Sequence, residues 1–254
     1  IKSMRFLIII LILYSFQTFG RKAGQTEITT EEGIEVFKKE KYYLLKKNVK
    51  VISDEFELKA DLVKAYFGED LYDIEKIYSA GNVILTSSKG IRALGEKIDF
   101  EIKKEDIKIY GKNSLLITNE LEMTSDGSIK VNNLTGLFTI NGINSKLKND
   151  EINITGYFID GKFLKLEKVN EVENLYVEDK TEINIKTETL DMYSLRANYD
   201  KKNNIIELFN NVKIYRDNET IYGDYAKINT LDESYKVTSK KSEKVKVLLK
   251  EKDE

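Results

Sequence analysis

With 254 residues, 41% hydrophobic and 33% charged, the chain is long and apolar enough to bury a core in one elongated domain or two small ones. Lysine and arginine number 41 against 43 aspartate and glutamate, and a net charge of -2 excludes the basic field on which nucleic-acid readers depend. Cysteine and histidine are absent, which rules out disulfides, thiol nucleophiles, thiolate zinc sites and histidine relays, and leaves carboxylates, lysine and tyrosine as possible catalysts.

Met4 and Arg5 precede the apolar run "FLIIILILYSF" (Phe6 to Phe16), which gives way to Gln17, Thr18, Phe19 and Gly20 before basic Arg21 and Lys22. A basic start, a short apolar stretch and small residues near its end read as a secretory signal over residues 1–20, cleaved near Gly20. A membrane-spanning helix needs roughly 20 apolar residues, and the run stretched to Phe19 is the competing reading, an uncleaved anchor. Both place the chain after Arg21 outside the cytoplasm.

Residues 21–47 form an N-terminal strand region: the acidic opening of "TEEGIEVFKKEKYYLL" suits a helix, but Gly33, Val36, Phe37, Tyr42 and Tyr43 favour strand. From there the apolar residues recur with period two, as expected of strands with one wet face. Val49 and Val51 share a face, as do Phe56, Leu58 and Ala60, then Val83 and Leu85 in "GNVILTS". Ile98, Phe100 and Ile102 follow in "EKIDFEIK", Ile107 and Ile109 in "EDIKIYG", then Ile152 with Ile154, Ile183 with Ile185, and Val212 with Ile214. Between them "SSKG", "SDGS", "NGIN", "DKKNN" and "RDNE" supply residues that accept the positive φ of tight turns. The charged segment 240–254 reads as one edge strand (Val245, Val247, Leu249) with a tail. The fold class is therefore all-β.

The stretch "GNVILTSSKGIRALGEKIDF" (Gly81 to Phe100) returns as "NNVKIYRDNETIYGDYAKIN" (Asn210 to Asn229). Asn-Val pairs at Asn48, Asn82 and Asn211 are each read as opening a strand, the first two 34 residues apart, with a weaker copy starting at Asn174. A unit of about 35 residues holds three or four strands of about five to seven residues. Such a unit cannot cover its own apolar face, so copies stack. The register is imperfect between Asn119 and Asn174.

Across 48–239, and best over "GNVILTSSKGIRALGEKIDFEIKKEDIKIYG" and "ANYDKKNNIIELFNNVKIYRDNETIYGDYAKIN", the sequence resembles the repeat of the OstA-like proteins, the LptA and LptC type components of lipopolysaccharide transport. In that repeat a Gly-Asn-Val or Asn-Asn-Val strand leads through a polar turn to Ile-x-Gly/Ala-Asp/Glu-x-Ala. The resemblance implies an open, twisted antiparallel β-jellyroll built from repeated strand-turn-strand units. It also implies a periplasmic, lipopolysaccharide-binding bridge from inner to outer membrane that self-associates end to end and meets LptC-like and LptD-like jellyrolls. Acyl chains would lie against Val49, Val51, Val83, Leu85, Ile98, Phe100, Ile107, Ile109, Ile183, Ile185, Val212 and Ile214, for which packing between two sheets is the competing role. An anchored LptC-like component is the alternative, and a surface adhesin or carbohydrate-active β-protein the second. Acidic "GED" (Gly68 to Asp70) and "KKED" (Lys103 to Asp106) read as solvated turns, so neither catalysis nor a metal or other cofactor is expected.

Overall fold

The computed structural model describes residues 25–88, 90–118, 121–165, 170–232, 234–240 and 244–249; the signal or anchor segment at 1–20 lies outside them. Among the described residues every regular element is a strand, and no helix is long and apolar enough to cross a membrane. In chain order these are β1 (Glu27–Thr29), β2 (Ile34–Phe37), β3 (Tyr42–Ile52), β4 (Phe56–Phe67), β5 (Ile74–Ser87), β6 (Arg92–Glu101), β7 (Asp106–Tyr110), β8 (Ser114–Ile117) and β9 (Glu122–Ser125). There follow β10 (Ser128–Asn132), β11 (Leu137–Lys148), β12 (Asn153–Lys165), β13 (Asn170–Lys186), β14 (Asp191–Asp200), β15 (Ile205–Arg216), β16 (Glu219–Asn229), β17 (Tyr235–Thr238) and β18 (Lys246–Leu249).

Every ladder is antiparallel and the chain meanders. β1 and β2 lie end to end on β3, β7 and β8 on β6, β9 and β10 on β11, and β17 and β18 on β16. Each such couple is one rung split in its middle, so the eighteen strands make fourteen stacked rungs. At neighbouring positions on successive rungs the ladder registers slip, between Lys46 and Val49, Lys59 and Leu62, Ala80 and Val83, Asn141 and Ser145, Thr155 and Phe158, Glu178 and Ile183, Tyr193 and Arg196, and Phe209 and Val212. A bulge bends the strand that carries it. These bulges align into a corner that divides each rung between two walls. The result is an open, twisted antiparallel jellyroll, since the first and last rungs do not pair with each other.

The corner explains the repeated motif. Asn48, Asn82, Asn113, Asn144 and Asn211 all sit there with positive φ, at 49°, 47°, 58°, 58° and 54°, a conformation that asparagine tolerates better than other side chains. Lys47, Gly81 and Asn210, immediately before three of them, are left-handed too, so Asn210 does the work of Gly81 in the second copy. The Asn-Val pairs thus lie within strands of 11, 14 and 12 residues instead of opening short ones. Two neighbouring rungs, each longer than the five to seven residues expected, fill one repeat. The repeat also continues through the region where its register is lost in the sequence, because Asn113 and Asn144 precede serine there, not valine. Asn174 is not part of the series: it pairs with Lys162 and Asp200 within one wall.

The acidic half of the motif belongs to the alternate rungs. Asp61 Oδ2 accepts from Asn82 Nδ2 at 3.0 Å, Glu31 accepts from the Asn48 amide, Glu96 Oε1 from the Lys112 backbone N–H at 3.2 Å, and Asp224 Oδ2 from the Lys240 N–H at 2.9 Å. Asp126 serves both neighbours, taking the Asn113 N–H at 2.9 Å and Asn144 Nδ2 at 2.7 Å. The carboxylates hold the bend from the adjoining rung, three of them through a backbone N–H (Lys112, Asn113, Lys240) and three through an asparagine side-chain amide (Asn48, Asn82, Asn144), Asp126 doing both. Those two bonds, the backbone one first, hold the Asp126 carboxyl below its ordinary value. Its contribution to stability is therefore complete above about pH 3.8 and is lost as pH falls through the depressed folded value. Unfolding followed between about pH 4 and pH 2 should show a shallower acid limb in Asp126→Asn than in the parent chain, and superimposable limbs would remove this role.

Candidate binding groove

The inner faces of the two walls meet in one apolar cluster that runs the length of the stack. One wall contributes Leu45, Val63, Ile98, Ile109, Ile129, Phe138, Ile140, Ile159, Leu175, Val177, Leu208 and Ile228, and the other Val49, Leu58, Val83, Met123, Leu147, Ile154, Ile183, Ile185, Met192, Val212, Ile214 and Ile221, all buried. Burying each such side chain stabilises by about 1.5–3 kcal/mol. At the apex the inner positions are Ser114, Ser125, Ser145 and Ser194, whose hydroxyls donate to the Gly111, Asn141, Gly142 and Arg196 carbonyls at 2.7–2.9 Å. Ser79, also buried there, has an Oγ with no partner among the described residues.

All twelve residues expected to face a ligand lie on inner-face positions of their strands. Val49, Val51, Val83, Ile98, Ile109, Ile183, Ile185, Val212 and Ile214 are buried members of the cluster, Leu85 and Ile107 pack against it, and Phe100 is half-buried beside Ile77 and Ile107 in the ladder. Ile98, Phe100, Ile107 and Ile109 belong to one wall and the other eight to the wall opposite. In this conformation they close on each other as a core, so a ligand reaches them only when the walls part.

Opposite the corner the free tips of the walls leave a cleft of about 660 Å³. The turns at 149–152 and 187–190 form one lip, and Glu171 to Val172, Tyr199 to Ile206 and Ile228 to Leu231 the other. Its floor is the cluster itself, since Val172, Leu190, Ile206 and Ile228 are buried members and Ile152 and Tyr199 pack on it. Tyr199 is pushed up to about 12, by burial first and then by Glu151, Glu171 and Asp200, so its hydroxyl stays protonated as a donor. The sequence reading passed over these residues because Tyr199 lies in "ANYD", at the margin of the second repeat. The available signal was an aromatic two places after inward Ala197, where an aliphatic residue was due.

Both ends are unpaired rungs. At the first, Ile28, Ile34 and Val36 continue the inner rows of Val51, Leu45 and Tyr43, and Ile34 is 50% exposed. At the last, Val247 continues the row of Ile221 and is 47% exposed, and Leu249 is 75% exposed. At the first end β1 and β2 cover β3, and at the last β18 (Lys246–Leu249) lies on β16.

The acidic turns are engaged in local contacts. Asp70 accepts the Tyr72 N–H at 3.0 Å, Asp106 pairs with Lys108 at 2.7 Å, and Lys103 bridges Asp73 and Glu75. Among the described residues no group of three acidic side chains is placed to hold a metal ion.

An open-ended, two-walled β-jellyroll with an apolar interior is the class of protein defined by this architecture. No protein-family model matches the chain, and no curated protein matches it. Among solved structures it is similar to LptH of Pseudomonas aeruginosa, the LptA-homologous periplasmic component of the conserved lipopolysaccharide transport device, at 12% identity with a TM-score of 0.43. That match covers 52% of this chain and 95% of the other.

Proposed function

We propose that this protein is a periplasmic glycolipid carrier of the OstA-like type, which shields the acyl chains of lipopolysaccharide between its walls as part of a bridge from the inner to the outer membrane. The observation that carries the reading is the apolar inner row that runs through fourteen rungs and stays uncovered at both ends. Holding an acyl chain in water costs about 0.8 kcal/mol per exposed CH₂, and a continuous apolar track removes that cost at every point along it. The motif resemblance supplies the ligand class.

The ends fit head-to-tail assembly. With an even number of antiparallel rungs the first and last run in opposite directions, so stacking the last rung of one copy on the first of the next preserves antiparallel pairing. It preserves the corner too, because acidic rungs alternate with left-handed rungs and the first carries Glu31 while the last donates the Lys240 amide. The same edges suit LptC-like and LptD-like jellyrolls. Residues 1–20 retained as an anchor would make this an inner-membrane, LptC-like member of the same system.

A small diazirine-bearing residue at Leu85 or Ile214 should capture lipopolysaccharide, and the same probe at outward Ile84 or Lys213 should not. Lys213 is held outside by Glu182 at 2.9 Å, so its position is fixed. Equal capture on both faces, or capture on neither, would remove the reading.

A further inference from the structure

We infer that the cleft between the wall tips is the port through which a lipid enters, and that it takes an acyl chain carried on a headgroup with a protonated amine. The inference rests on the carrier reading only in taking the occupant to be an amphiphile.

Access is the first step of the argument. Between the exposed end rungs the inner residues of the cluster are buried, so no chain enters from the side without separating walls that already pack together. At the cleft the tips stand apart, and a volume of about 660 Å³ lies within the range of ligand pockets, roughly 300–1,000 Å³. Its floor of Val172, Leu190, Ile206 and Ile228 belongs to the same cluster that continues toward both ends. An alkyl chain laid on that floor replaces one wall's contacts with its own, so the walls part from here progressively instead of all at once.

The rim decides the headgroup. Among the described residues that line the cleft, Asp150, Glu151, Glu171 and Glu188 face one cation, Lys201, whose Nζ already lies 3.6 Å from Glu171. A headgroup held at the mouth while its chain lies on the floor therefore meets a negative field. That field attracts an ammonium group and repels a phosphate, and because Asp150, Glu151 and Glu188 are exposed it weakens as salt is raised. Tyr199, protonated and reaching the floor, adds a donor for a sugar hydroxyl or an ester carbonyl.

The test uses the whole chain, which contains no tryptophan, with Leu231→Trp on the exposed lip as a lone reporter. Dodecylammonium, dodecyl maltoside and dodecyl phosphate share one tail and are titrated below their micellar concentrations at low salt. The expected order is ammonium tightest, glucoside-type headgroup between, and phosphate at least tenfold weaker than ammonium, with the spread narrowing as salt is raised. In the double variant Glu151→Lys, Glu188→Lys, both exposed positions, the order of ammonium and phosphate should reverse while circular dichroism stays unchanged. Phosphate binding as tightly as ammonium in the parent chain, or an order that ignores the charge reversal, overturns the inference. If no alkyl probe binds at the cleft while a diazirine at Ile214 still captures lipopolysaccharide, the port is overturned and the carrier stands. Probe binding in the expected order with no capture at Ile214 supports the port and removes the carrier.

Discussion

Replacing Gly142 with valine should lower stability by about 3 kcal/mol or more. Gly142 has φ of +131°, a region essentially closed to other residues, and a Cβ there would stand 2.8 Å from the Cα and N of Gly127 on the adjoining rung. The obstacle is backbone, which cannot rotate away as a side chain would, so either β11 leaves its ladder or the two rungs separate at the middle of the stack. Asn144→Gly, two residues on, keeps the left-handed bend and loses only an exposed bond to Asp126, so its cost should be much smaller. Denaturant unfolding followed by circular dichroism measures both, and the slope should be the same in parent and variants if the unfolded states are alike. A valine variant within about 1 kcal/mol of the parent would mean that the corner is not a fixed point of the fold.

The second large effect concerns assembly. Successive residues of a strand point their amides alternately to the two sides, so of Val247→Pro and Leu248→Pro one removes an amide directed at β16 and the other an amide directed away from the molecule. Sedimentation of the parent chain should show concentration-dependent linear oligomers. The variant that loses the outward amide should weaken them at least tenfold while the monomer stays folded, and the other should loosen β18 itself. At the opposite end Ile34→Lys, on the exposed inner row of β2, should have a comparable effect on association, since it puts a charge into the seam that the next copy would cover. A parent chain that remains monomeric at high concentration would remove end-to-end stacking from the reading.

Much of this was legible in the residues, and the part that was not has a physical cause. Val212 and Ile214 alternate with a lysine, Lys213, which fixes their inward face whatever the neighbouring rung does, and Val83 and Leu85, with Ile84 between them, take the same face through the repeat they share with that pair. The bend escaped notice because two left-handed residues in a row leave the alternation intact: inward Ser79 precedes Gly81 and Asn82, inward Val83 follows, and the odd numbering never breaks. In β4 the break is visible, from Ala60 to Val63, but a single change of parity resembles a turn. Asn82 was therefore assigned to a strand opening when it marks a strand's middle. The cleft was hidden for a different reason. Tyr199 and Ile228 come from β14 and β16 on one wall and Leu190 from the turn at the tip of the other, and only the fold brings them together. Whether an inward residue faces a ligand or its opposite number is likewise a property of the distance between walls, and no strand's own sequence encodes it.

The alternation at the corner limits how a chain of this design can change in length. From Glu31 to Asn144 the acidic rungs offer acceptors and the left-handed rungs offer donors, so removing or inserting a single rung there would set Asp61 against another carboxylate, or leave the Asn82 amide facing another amide, and would also reverse the direction of everything downstream. Rungs added or lost in pairs avoid both faults. Each pair is worth about 31 to 34 residues, the spacing of Asn48, Asn82, Asn113 and Asn144, and at roughly 4.8 Å per rung it moves one end of the molecule by about 9.6 Å. Lengths among proteins built on this plan should accordingly be quantised: a longer or shorter span is expected to come by whole steps of duplication or deletion, with intermediate sizes confined to the turns at the wall tips.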